Sequence, residues 1–489
     1  MRFVTPESRG VPSQAVARFI DRLNERRLPM HSFLMMRGGD VIAEGYWQPF
    51  NEYFLHRLYS CSKSFVSIAV GLLIGEGKLH LDDKVISFFP EELPDAVHPY
   101  LEMTTVRDLL RMATSHNENA YTNRDANWVR TFLHRTTEHV PGTVFSYDTA
   151  GTVMLNAIVE KLSGQELVEY LRPRLFDPIG VSKDAWCVGR PEGGAWGGSG
   201  MMLTTRDFAR VANIVMHMGR HEGRQLIPEA YLREATTKQI DTRTAREEPE
   251  TQQGYGYQFW ITRNDGFAFL GMGTQVAICL PKKDFLLITT ADTQGISSGY
   301  ANLFAALWEE IFLYLDENLD TLPEDEAAHR ALREKTASLT LLCEEGAHTS
   351  PLAKEIDGKT YVMDENPMGI RRISFGFSCD LCTMRYENAT GEHEILFGFG
   401  RNIEGEFPET GYYGRRIGEK LERGYRCLCS AAWGGENSLQ LRVNICDWYF
   451  GNCNIDVGFR DEFVTVRMAK TAEWFLEEYQ GFAAGRMQA

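Results

Sequence analysis

The feature that most constrains the fold of this sequence is the segment Leu58–Ile74, which is largely apolar. Four of its polar residues fall at i, i+3, i+4 and i+7, which is one face of an α-helix; they are Ser60, Lys63, Ser64 and Ser67. Because almost all other positions are apolar, we predict a helix over residues 60–75 that is buried nearly all round.

Ser60 and Lys63 have the S-x-x-K spacing, which places a hydroxyl and an amine one helical turn apart. Burial removes water from the amine and favours its neutral form, which can accept a proton near pH 7. Ser60 would begin the helix, where free backbone N–H groups and the helix dipole favour a developing negative charge. The spacing therefore predicts a nucleophile with its base, although a capping Ser60 and a Lys63 that reaches solvent also fit it.

Patterns on both sides of this helix predict an antiparallel sheet built from two separate parts of the chain. Strand–turn–strand patterns occupy residues 33–43 and 276–289. An amphipathic helix is predicted over residues 14–26, and a helical apolar pattern covers residues 303–315. The segments between the hairpins are mostly helical. We therefore predict an all-α lobe beside the sheet, with a small-molecule cleft between them.

The spacing of apolar residues changes in about the last third of the sequence. Between residues 439 and 445 apolar and polar residues alternate, which is typical of a strand with one buried face. Seven of the ten cysteines lie at Cys343 or later. We predict two domains, residues 1–320 and a β-rich domain over residues 335–489, which is a small barrel or a sandwich. The acidic stretch 316–334 is interpreted as a surface linker or as the end of the last helix.

Charge and composition argue against several classes of partner. The chain has 51 basic and 67 acidic residues and a formal net charge of −16, whereas nucleic acids and anionic membranes bind clustered Lys and Arg. No apolar run reaches the ~18 residues that a membrane-spanning helix needs. Residues 1–7 lack the apolar core of a signal peptide, so we expect a cytoplasmic protein with free thiols. The expected partner is a small-molecule substrate; the sequence predicts no oligomeric state.

Motifs for metals and cofactors are weak. Cys379-x-x-Cys382 and Cys427-x-Cys429 contain paired cysteines, as zinc sites do. The first pair lies between two strand patterns without the glycine of a zinc knuckle, and the second pair alternates with Leu428 as strand residues do. The sequence contains no H-E-x-x-H motif, P-loop or dinucleotide fingerprint. Residues 197–201 depart from the G-x-S-x-G elbow at the last position. We therefore predict no metal and no cofactor.

The S-x-x-K segment resembles the nucleophile helix of the serine β-lactamase and penicillin-binding protein superfamily, in which the serine is acylated. Segments around it look like the 6-aminohexanoate-dimer-hydrolase and esterase branch, close to class C β-lactamases. The matching segments, in the family's order, are Met30–Leu34, Glu44–Trp47, His56–Ser60, Gly77–Asp83, Thr105–Leu110, Pro141–Tyr147, Leu175–Gly180 and Gly200–Arg210. The resemblance covers roughly residues 12–315. It implies a β-lactamase/transpeptidase-like α+β fold, an antiparallel sheet flanked by helices with an all-α lobe.

The resemblance also implies a catalytic tyrosine. Residues 141–147 are similar to the family's P-G-x-x-F-x-Y, so Tyr147 is expected to shuttle a proton between the serine and a leaving group. Tyr147 precedes a helical pattern that Asp148 or Thr149 can cap, and a phenol beside a cationic lysine can ionise in part. The family usually has Y-x-N here, so Thr149 is expected in place of the amide that orients the substrate.

The family's third motif is altered as well. In place of K-T-G or H-x-G the sequence has residues 269–275, Phe-Leu-Gly-Met-Gly-Thr-Gln, with no Lys or His to bind a substrate carboxylate. The esterase and amidase branch often has a G-x-G-x-Q form at this point. Gly271 and Gly273 fit an edge strand that the substrate approaches closely. A backbone N–H near Met272 would complete an oxyanion hole with that of Ser60.

These features predict a cofactor-independent serine hydrolase that acts on a small ester or linear amide through an acyl-enzyme on Ser60, with Lys63 and Tyr147 moving protons. Two alternatives stay open. The altered third motif and the second domain also fit a non-catalytic binding or scaffold protein. A penicillin-recognising peptidase or β-lactamase is less favoured, because a cytoplasmic protein does not meet peptidoglycan. His116, which replaces the glycine usual after Ser115, is expected at the surface or the cleft edge and not as a base.

Overall fold

The computed structural model of this protein describes residues 1–489 except 118, 120, 123, 245–247, 297, 319, 409–423, 473–475, 477–478 and 489. The described residues form two compact units, Met1–Thr340 and Leu341–Ala489. In this part of the chain, no helix combines the length and the apolar character needed to cross a membrane.

An antiparallel sheet forms the centre of the first unit. The strands of this unit are β1 Met30–Arg37, β2 Asp40–Tyr46, β3 His56–Arg57, β4 Trp186–Cys187, β5 Met201–Leu203, β6 Arg220–His221, β7 Arg224–Gln225, β8 Trp260–Thr262, β9 Gly266–Gly271, β10 Gln275–Leu280 and β11 Phe285–Ala291. The main sheet has the order β2-β1-β11-β10-β9-β8, and β3, β5 and β4 pair separately. The two predicted hairpins therefore meet, because β1 pairs with β11 in antiparallel register, Phe33 opposite Thr289.

Helices cover this sheet and fill the chain between its two parts. They are α1 Ser13–Glu25, α2 Ser62–Gly75, α3 Pro99–Met103, α4 Val106–Leu110, α5 Trp128–His134, α6 Thr149–Ser163, α7 Leu167–Leu171, α8 Asp177–Ile179, α9 Thr205–Met216, α10 Glu229–Ala235, α11 Gly299–Ala306 and α12 Glu326–Ala337. Local signals set their ends: Thr204 accepts from the N–H of Asp207 at the start of α9, and Gly164 closes α6 with a left-handed φ of 69°. The α+β architecture expected from the sequence is confirmed.

The acidic stretch 316–334 is more than a linker or a helix end. Helix α12 begins inside it at Glu326, Leu332 is buried, and Lys335 forms an ion pair with Asp21 of α1. The buried leucine and the ion pair therefore attach this helix to the first unit.

The second unit is β-rich, as the alternating pattern predicted. It contains α13 Pro351–Ile356 and the strands β12 Thr360–Met363, β13 Arg372–Ser378, β14 Leu381–Asn388, β15 Gly391–Phe399, β16 Ile403–Phe407, β17 Tyr425–Gly435, β18 Ser438–Ile445, β19 Gly451–Arg460, β20 Phe463–Thr471 and β21 Gly481–Met487. The described strands have the order β15-β14-β13-β12-β21-β20-β19-β18-β17-β16, and β15 also pairs with β17, so the sheet closes into a barrel. Leu439, Leu441 and Val443 point into its core.

Three of the four cysteines in the two pairs of the second unit are buried in this core, and Cys379 is exposed. Cys427 and Cys429 are buried on β17, with their sulfurs 3.5 Å apart. All ten cysteines are free thiols. Among the described residues, no group of three or more His, Cys, Asp or Glu side chains is arranged to hold a metal ion.

Candidate active site

Helix α2 buries its polar face as well as its apolar sides. Ser64 Oγ donates to the carbonyl oxygen of Gln258 at 2.6 Å, and Ser67 Oγ donates to that of Tyr257 at 2.6 Å. These bonds satisfy hydroxyls whose unpaired burial would cost about 1–3 kcal/mol each. Ser64 and Ser67 therefore hold the helix in place, which leaves Ser60 and Lys63 as the members of this face that are arranged for chemistry.

The nucleophile candidate Ser60 lies in a 3-10 turn, Tyr59–Cys61, directly before α2. Tyr59 has a φ of 47°, a left-handed conformation that costs a residue with a side chain roughly 1–2 kcal/mol. Cys61 Sγ donates to the carbonyl oxygen of Gln275 at 3.1 Å, which ties the turn to strand β10. Ser60 is partly exposed while both of its neighbours are buried, so the turn presents its hydroxyl outward.

The thiol of Cys61 does not compete with the adjacent hydroxyl. The residue is fully buried, and burial raises the pKa of its thiol well above the usual value although Lys63 is close. Because the thiolate is the reactive form of cysteine, Cys61 is inert at neutral pH.

Lys63 is buried, with 1% of its side chain exposed. Its Nζ lies 2.9 Å from Ser60 Oγ and donates to the carbonyl oxygen of Gly198 at 2.7 Å. A neutral amine can donate to Gly198 and still accept the proton of Ser60 through its lone pair. Burial favours that neutral form because the ammonium ion loses its hydration. The alternative in which Lys63 reaches solvent is therefore wrong.

Gly198, the second partner of Lys63, is not among the residues predicted from the sequence. A Cβ on the preceding Gly197 would lie 2.5 Å from Val66 Cγ2 of helix α2, and one on Gly198 would lie 2.6 Å from Thr149 Cγ2. Only glycine allows the main chain to pass this close to the helix. The signal in the sequence is the glycine-rich run 197–200. It indicates that the main chain approaches the neighbouring helices closely, and it is not an elbow motif.

Tyr147 lies beside this pair. Lys63 Nζ is 5.1 Å from the centre of the Tyr147 ring, and the ring stacks on Trp260 at 5.7 Å with an interplanar angle of 22°. The next residue, Asp148, caps helix α6 by accepting from the N–H of Ala150 at 2.8 Å. The cap and the stacked indole together hold the Tyr147 ring beside the lysine, and proton transfer through its hydroxyl stays a prediction.

The third motif reaches the nucleophile turn through the end of strand β9. A Cβ on Gly271 would lie 2.2 Å from the carbonyl oxygen of Leu58 and 3.1 Å from the nitrogen of Cys61. The glycine is therefore required by the protein's own main chain, and Tyr300 donates to its carbonyl oxygen at 2.6 Å. Strand β9 is not the edge strand that the sequence predicted. The edge strand is β8, but it pairs only with residues 266–268, so the Gly271 end of β9 is uncovered on that side.

The turn after β9 is held by one glutamine. Gln275 Nε2 donates to the carbonyl oxygens of Met272 at 2.8 Å and Ala291 at 2.7 Å, and the N–H of Ala291 donates back to Gln275 Oε1 at 3.0 Å. Gly273 accommodates the turn with a φ of 74°. A fixed turn is what an oxyanion hole needs, because its N–H groups must be oriented before charge develops.

These elements line one cleft of about 700 Å³ within the first unit. Its catalytic side contains Ser60 and Tyr147, and the third motif contributes Leu270, Met272 and Gly273. The remaining lining residues are Glu248, Thr251, Trp260, Thr293, Gln294, Ile296, Gly299 and Tyr300. The volume is typical of a small-molecule site.

The predicted site residues thus lie close together. For Thr149 the structure shows the position but not the predicted contact with a substrate. Thr149 lies at the start of α6 against Gly198, on the lysine side of the site. Contact of Thr149 with a substrate stays a prediction, as does the donation from the Met272 turn to an oxyanion.

The structure contradicts the expected location of His116. The residue is 1% exposed, with its ring edge-on to Phe132 of α5 at 4.5 Å. Its Nδ1 is 3.7 Å from Asp148 Oδ2, which is too long for a hydrogen bond. The predicted place at the surface or the cleft edge is wrong because Phe132 of α5 packs against the ring.

Two other histidines, His31 and His56, form a buried pair, and His56 lies four residues before Ser60 in the sequence. His56 Nδ1 is 3.0 Å from the carbonyl oxygen of Arg57, so His56 donates there and its Nε2 accepts from His31 Nδ1 at 2.7 Å. Burial lowers the pKa of His56 to about 3, and burial together with His56 lowers the pKa of His31 well below its usual value. Both rings are therefore neutral in the folded protein.

This pair predicts a loss of stability in mild acid. The unfolded chain takes up protons on both histidines below about pH 6.5, whereas the folded chain does not. The contribution to stability is complete above that pH and is lost as the pH falls toward about 3. The free energy of unfolding should fall by about 1.4 kcal/mol per pH unit for each proton taken up. Urea unfolding at a series of pH values measures this slope.

The matched variant for this prediction is His56→Gln. Its amide can accept from His31 and donate to the carbonyl of Arg57, but it does not titrate. We expect a flatter dependence of stability on pH than in the wild type. Equal slopes in the two proteins would contradict the assignment.

Comparison with known proteins agrees with this geometry. Residues 16–307 match the beta-lactamase family. The 6-aminohexanoate-dimer hydrolase of Paenarthrobacter ureafaciens is 28% identical over 297 residues, which cover 55% of this chain and 74% of that protein.

Two solved structures share the fold. A proposed 6-aminohexanoate-dimer hydrolase of Bacillus anthracis is similar with a TM-score of 0.51 at 20% identity, covering 60% of this chain and 82% of that chain. An octameric penicillin-binding protein homologue from Pyrococcus abyssi has a TM-score of 0.50 at 16% identity, covering 97% of this chain and 99% of that chain. The second likeness extends beyond the family match into the β-rich unit.

Proposed function

This chain belongs to the beta-lactamase family, and we propose that it is a serine hydrolase that cleaves a small ester or a linear amide through an acyl-enzyme on Ser60. The observation that supports this most is the 2.9 Å distance between Lys63 Nζ and Ser60 Oγ, with Lys63 almost fully buried. A hydroxyl is a weak nucleophile, and an adjacent neutral amine is what activates it.

In the proposed first step, Ser60 Oγ forms a bond to the substrate carbonyl carbon while its proton passes to Lys63 Nζ. The developing oxyanion is stabilised by backbone N–H groups of the Ser60 turn and the Met272 turn. The bond to the leaving group then breaks, and the leaving oxygen or nitrogen receives the proton through the hydroxyl of Tyr147. An acyl-enzyme and a free alcohol or amine result.

In the second step, water attacks the acyl carbon. Tyr147 and Lys63 accept the water proton and return it to Ser60 Oγ as the ester bond to the enzyme breaks. A carboxylic acid is released and the resting enzyme is restored. Two moderate barriers replace one high barrier, which is the general advantage of covalent catalysis.

The ester and amide classes are favoured over β-lactams by the third motif. No described residue lining the cleft is a lysine, arginine or histidine, so a substrate carboxylate has no cation to bind there among them. The relative from Paenarthrobacter ureafaciens is named as a 6-aminohexanoate-dimer hydrolase, and we extend the activity class, not that substrate, to this chain. Cytoplasmic location and independence of cofactors stay predictions.

A fluorophosphonate probe and a substrate panel test the proposal. We expect one covalent adduct, located at Ser60 by peptide mass spectrometry, and turnover of esters or linear amides in preference to penicillins. Ser87→Ala removes an exposed serine and should label normally. Absence of both labelling and turnover between about pH 6 and 10, where a lysine base titrates, would favour the scaffold alternative. A penicilloyl adduct would favour a penicillin-recognising enzyme.

A further inference from the structure

Arg57 is a buried cation that the proposed chemistry does not use. Its side chain is fully buried, and it ends strand β3 three residues before Ser60. A guanidinium taken out of water loses several kcal/mol of hydration unless polar groups and aromatic faces replace the water. The groups that replace it lie on the two turns that flank the pair of Ser60 and Lys63.

The first of these turns presents the nucleophile. The guanidinium carbon of Arg57 lies 4.3 Å from the centre of the Tyr59 ring and 4.8 Å from that of Trp196. Tyr59 is the residue with the left-handed φ of 47° directly before Ser60. A strained conformation persists only where its surroundings hold it, and the cation–π contact holds the ring of this residue.

The second turn presents the acceptor of Lys63. Arg57 Nε donates to the carbonyl oxygen of Ser199 at 3.0 Å, and Nη2 donates to Ser199 Oγ at 3.0 Å. Ser199 follows Gly198, whose carbonyl oxygen accepts from Lys63 Nζ. A planar fork bound to two oxygens of one residue fixes its orientation, and through the shared peptide it fixes the direction of the Gly198 carbonyl.

The guanidinium of Arg57 also stays positively charged at any working pH, because arginine does not lose its proton in proteins. The titratable groups beside Lys63 or Arg57 include Tyr59, Cys61, Tyr147, Cys187 and His56. Burial raises the pKa of both thiols and lowers that of His56, so these three are neutral near pH 7. Arg57 and Lys63 donate to the carbonyl oxygens of two adjacent residues, Ser199 and Gly198, and a fixed positive charge at this separation disfavours the protonated form of an amine.

We propose that Arg57 is a positioning residue that holds the Ser60 turn and the Gly198 carbonyl in register and keeps Lys63 in its neutral form. The inference rests on the proposed function and adds to it the group that prepares the base. It predicts two separable effects, one on geometry and one on the protonation of Lys63.

Kinetics of p-nitrophenyl acetate hydrolysis against pH test both effects. In Arg57→Met we expect kcat to fall about tenfold to a hundredfold with little change in KM, because misplaced catalytic groups slow the chemical step. The acid limb of kcat/KM should move to higher pH by on the order of one unit, since Lys63 loses a like charge. Arg57→Lys keeps the charge without the fork, so kcat should fall while the limb stays in place.

Arg37→Met is the matched control. Arg37 is also fully buried, but it donates to the carbonyl of Arg9 at 2.8 Å and pairs with Asp316 at 2.9 Å, on another side of the unit. Its loss should lower the melting temperature without moving the acid limb. A buried arginine with only a structural role would behave in the same way.

NMR of lysine labelled with ¹³C at the ε position measures the protonation of Lys63 directly and needs no substrate turnover. The Lys63 signal is assigned from its absence in Lys63→Met. If the wild type hydrolyses no substrate, the proposed function fails and this titration still decides the inference. The inference is overturned if Arg57→Met folds and neither the acid limb of its kcat/KM profile nor the titration of Lys63 differs from the wild type. If Arg57→Met does not fold, unchanged kcat in both Arg57→Lys and Ser199→Ala overturns it.

Discussion

Replacement of Ser60 by alanine is expected to abolish turnover of p-nitrophenyl acetate, with kcat lower by about four orders of magnitude or more, while the melting temperature stays unchanged. The reaction needs the Oγ atom to form the acyl-enzyme. The fold does not need it, because Ser60 is partly exposed and Lys63 retains the Gly198 carbonyl as a partner. Initial rates and differential scanning calorimetry on the same preparation measure both quantities.

Ser67→Ala is the matched control on the same helix. Ser67 is fully buried, donates to the carbonyl of Tyr257 at 2.6 Å and lies 2.8 Å from the hydroxyl of Tyr231. Its removal should lower the free energy of unfolding by about 1–3 kcal/mol and leave kcat intact. The two serines should therefore show opposite patterns. Wild-type activity in Ser60→Ala would disprove the assignment of the nucleophile.

Replacement of Lys63 by methionine is expected to lower kcat/KM by about three orders of magnitude or more. Methionine has a similar length and tolerates burial, but it cannot accept the proton of Ser60. Labelling of Ser60 by a fluorophosphonate should slow in parallel. The rise of rate with pH that a lysine base produces should also disappear from the residual activity. A pH–rate profile with one ester substrate measures these changes.

Lys63→Arg distinguishes two possible roles of Lys63, as a base that accepts a proton and as a fixed positive charge. Arginine can donate to the Gly198 carbonyl and retains the positive charge, but it does not lose its proton in proteins. If Lys63 acts as a base, the arginine variant should be as inactive as the methionine variant. Substantial activity in Lys63→Arg would mean that Lys63 contributes only electrostatic stabilisation, and the proposed proton transfer would be wrong.

The proximity of Ser60 and Lys63 could be predicted because its signal is local. One helical turn separates Ser60 from Lys63, and the apolar residues around them imply burial whatever the rest of the chain does. Tyr147 came from a family pattern and could not have been paired with Lys63 from spacing alone. Ser64 and Ser67 share the same face but are bonded to the carbonyls of residues 257 and 258, which no local pattern indicates.

The errors share one cause. The sequence predicts His116 at the surface or the cleft edge, whereas a neighbouring helix covers it. It also predicts an edge strand at β9, but the short strand β8 pairs with the first half of that strand. In both cases a segment distant in sequence decides the environment, and one-dimensional periodicity contains no information about such contacts.

The amino-acid order alone determined that a hydroxyl and an amine lie one turn apart in an apolar helix, that two hairpins enclose a helical region, and that a β-rich unit follows. Only the tertiary structure decided which serine faces the cleft, that Gly198 accepts from Lys63, and that Arg57 bridges the turns around them. The physical reason is that helical and strand periods arise from backbone geometry within a few residues. Hydrogen bonds between residues more than a hundred positions apart, such as those of Lys63 and Arg57, form only when the whole chain has packed.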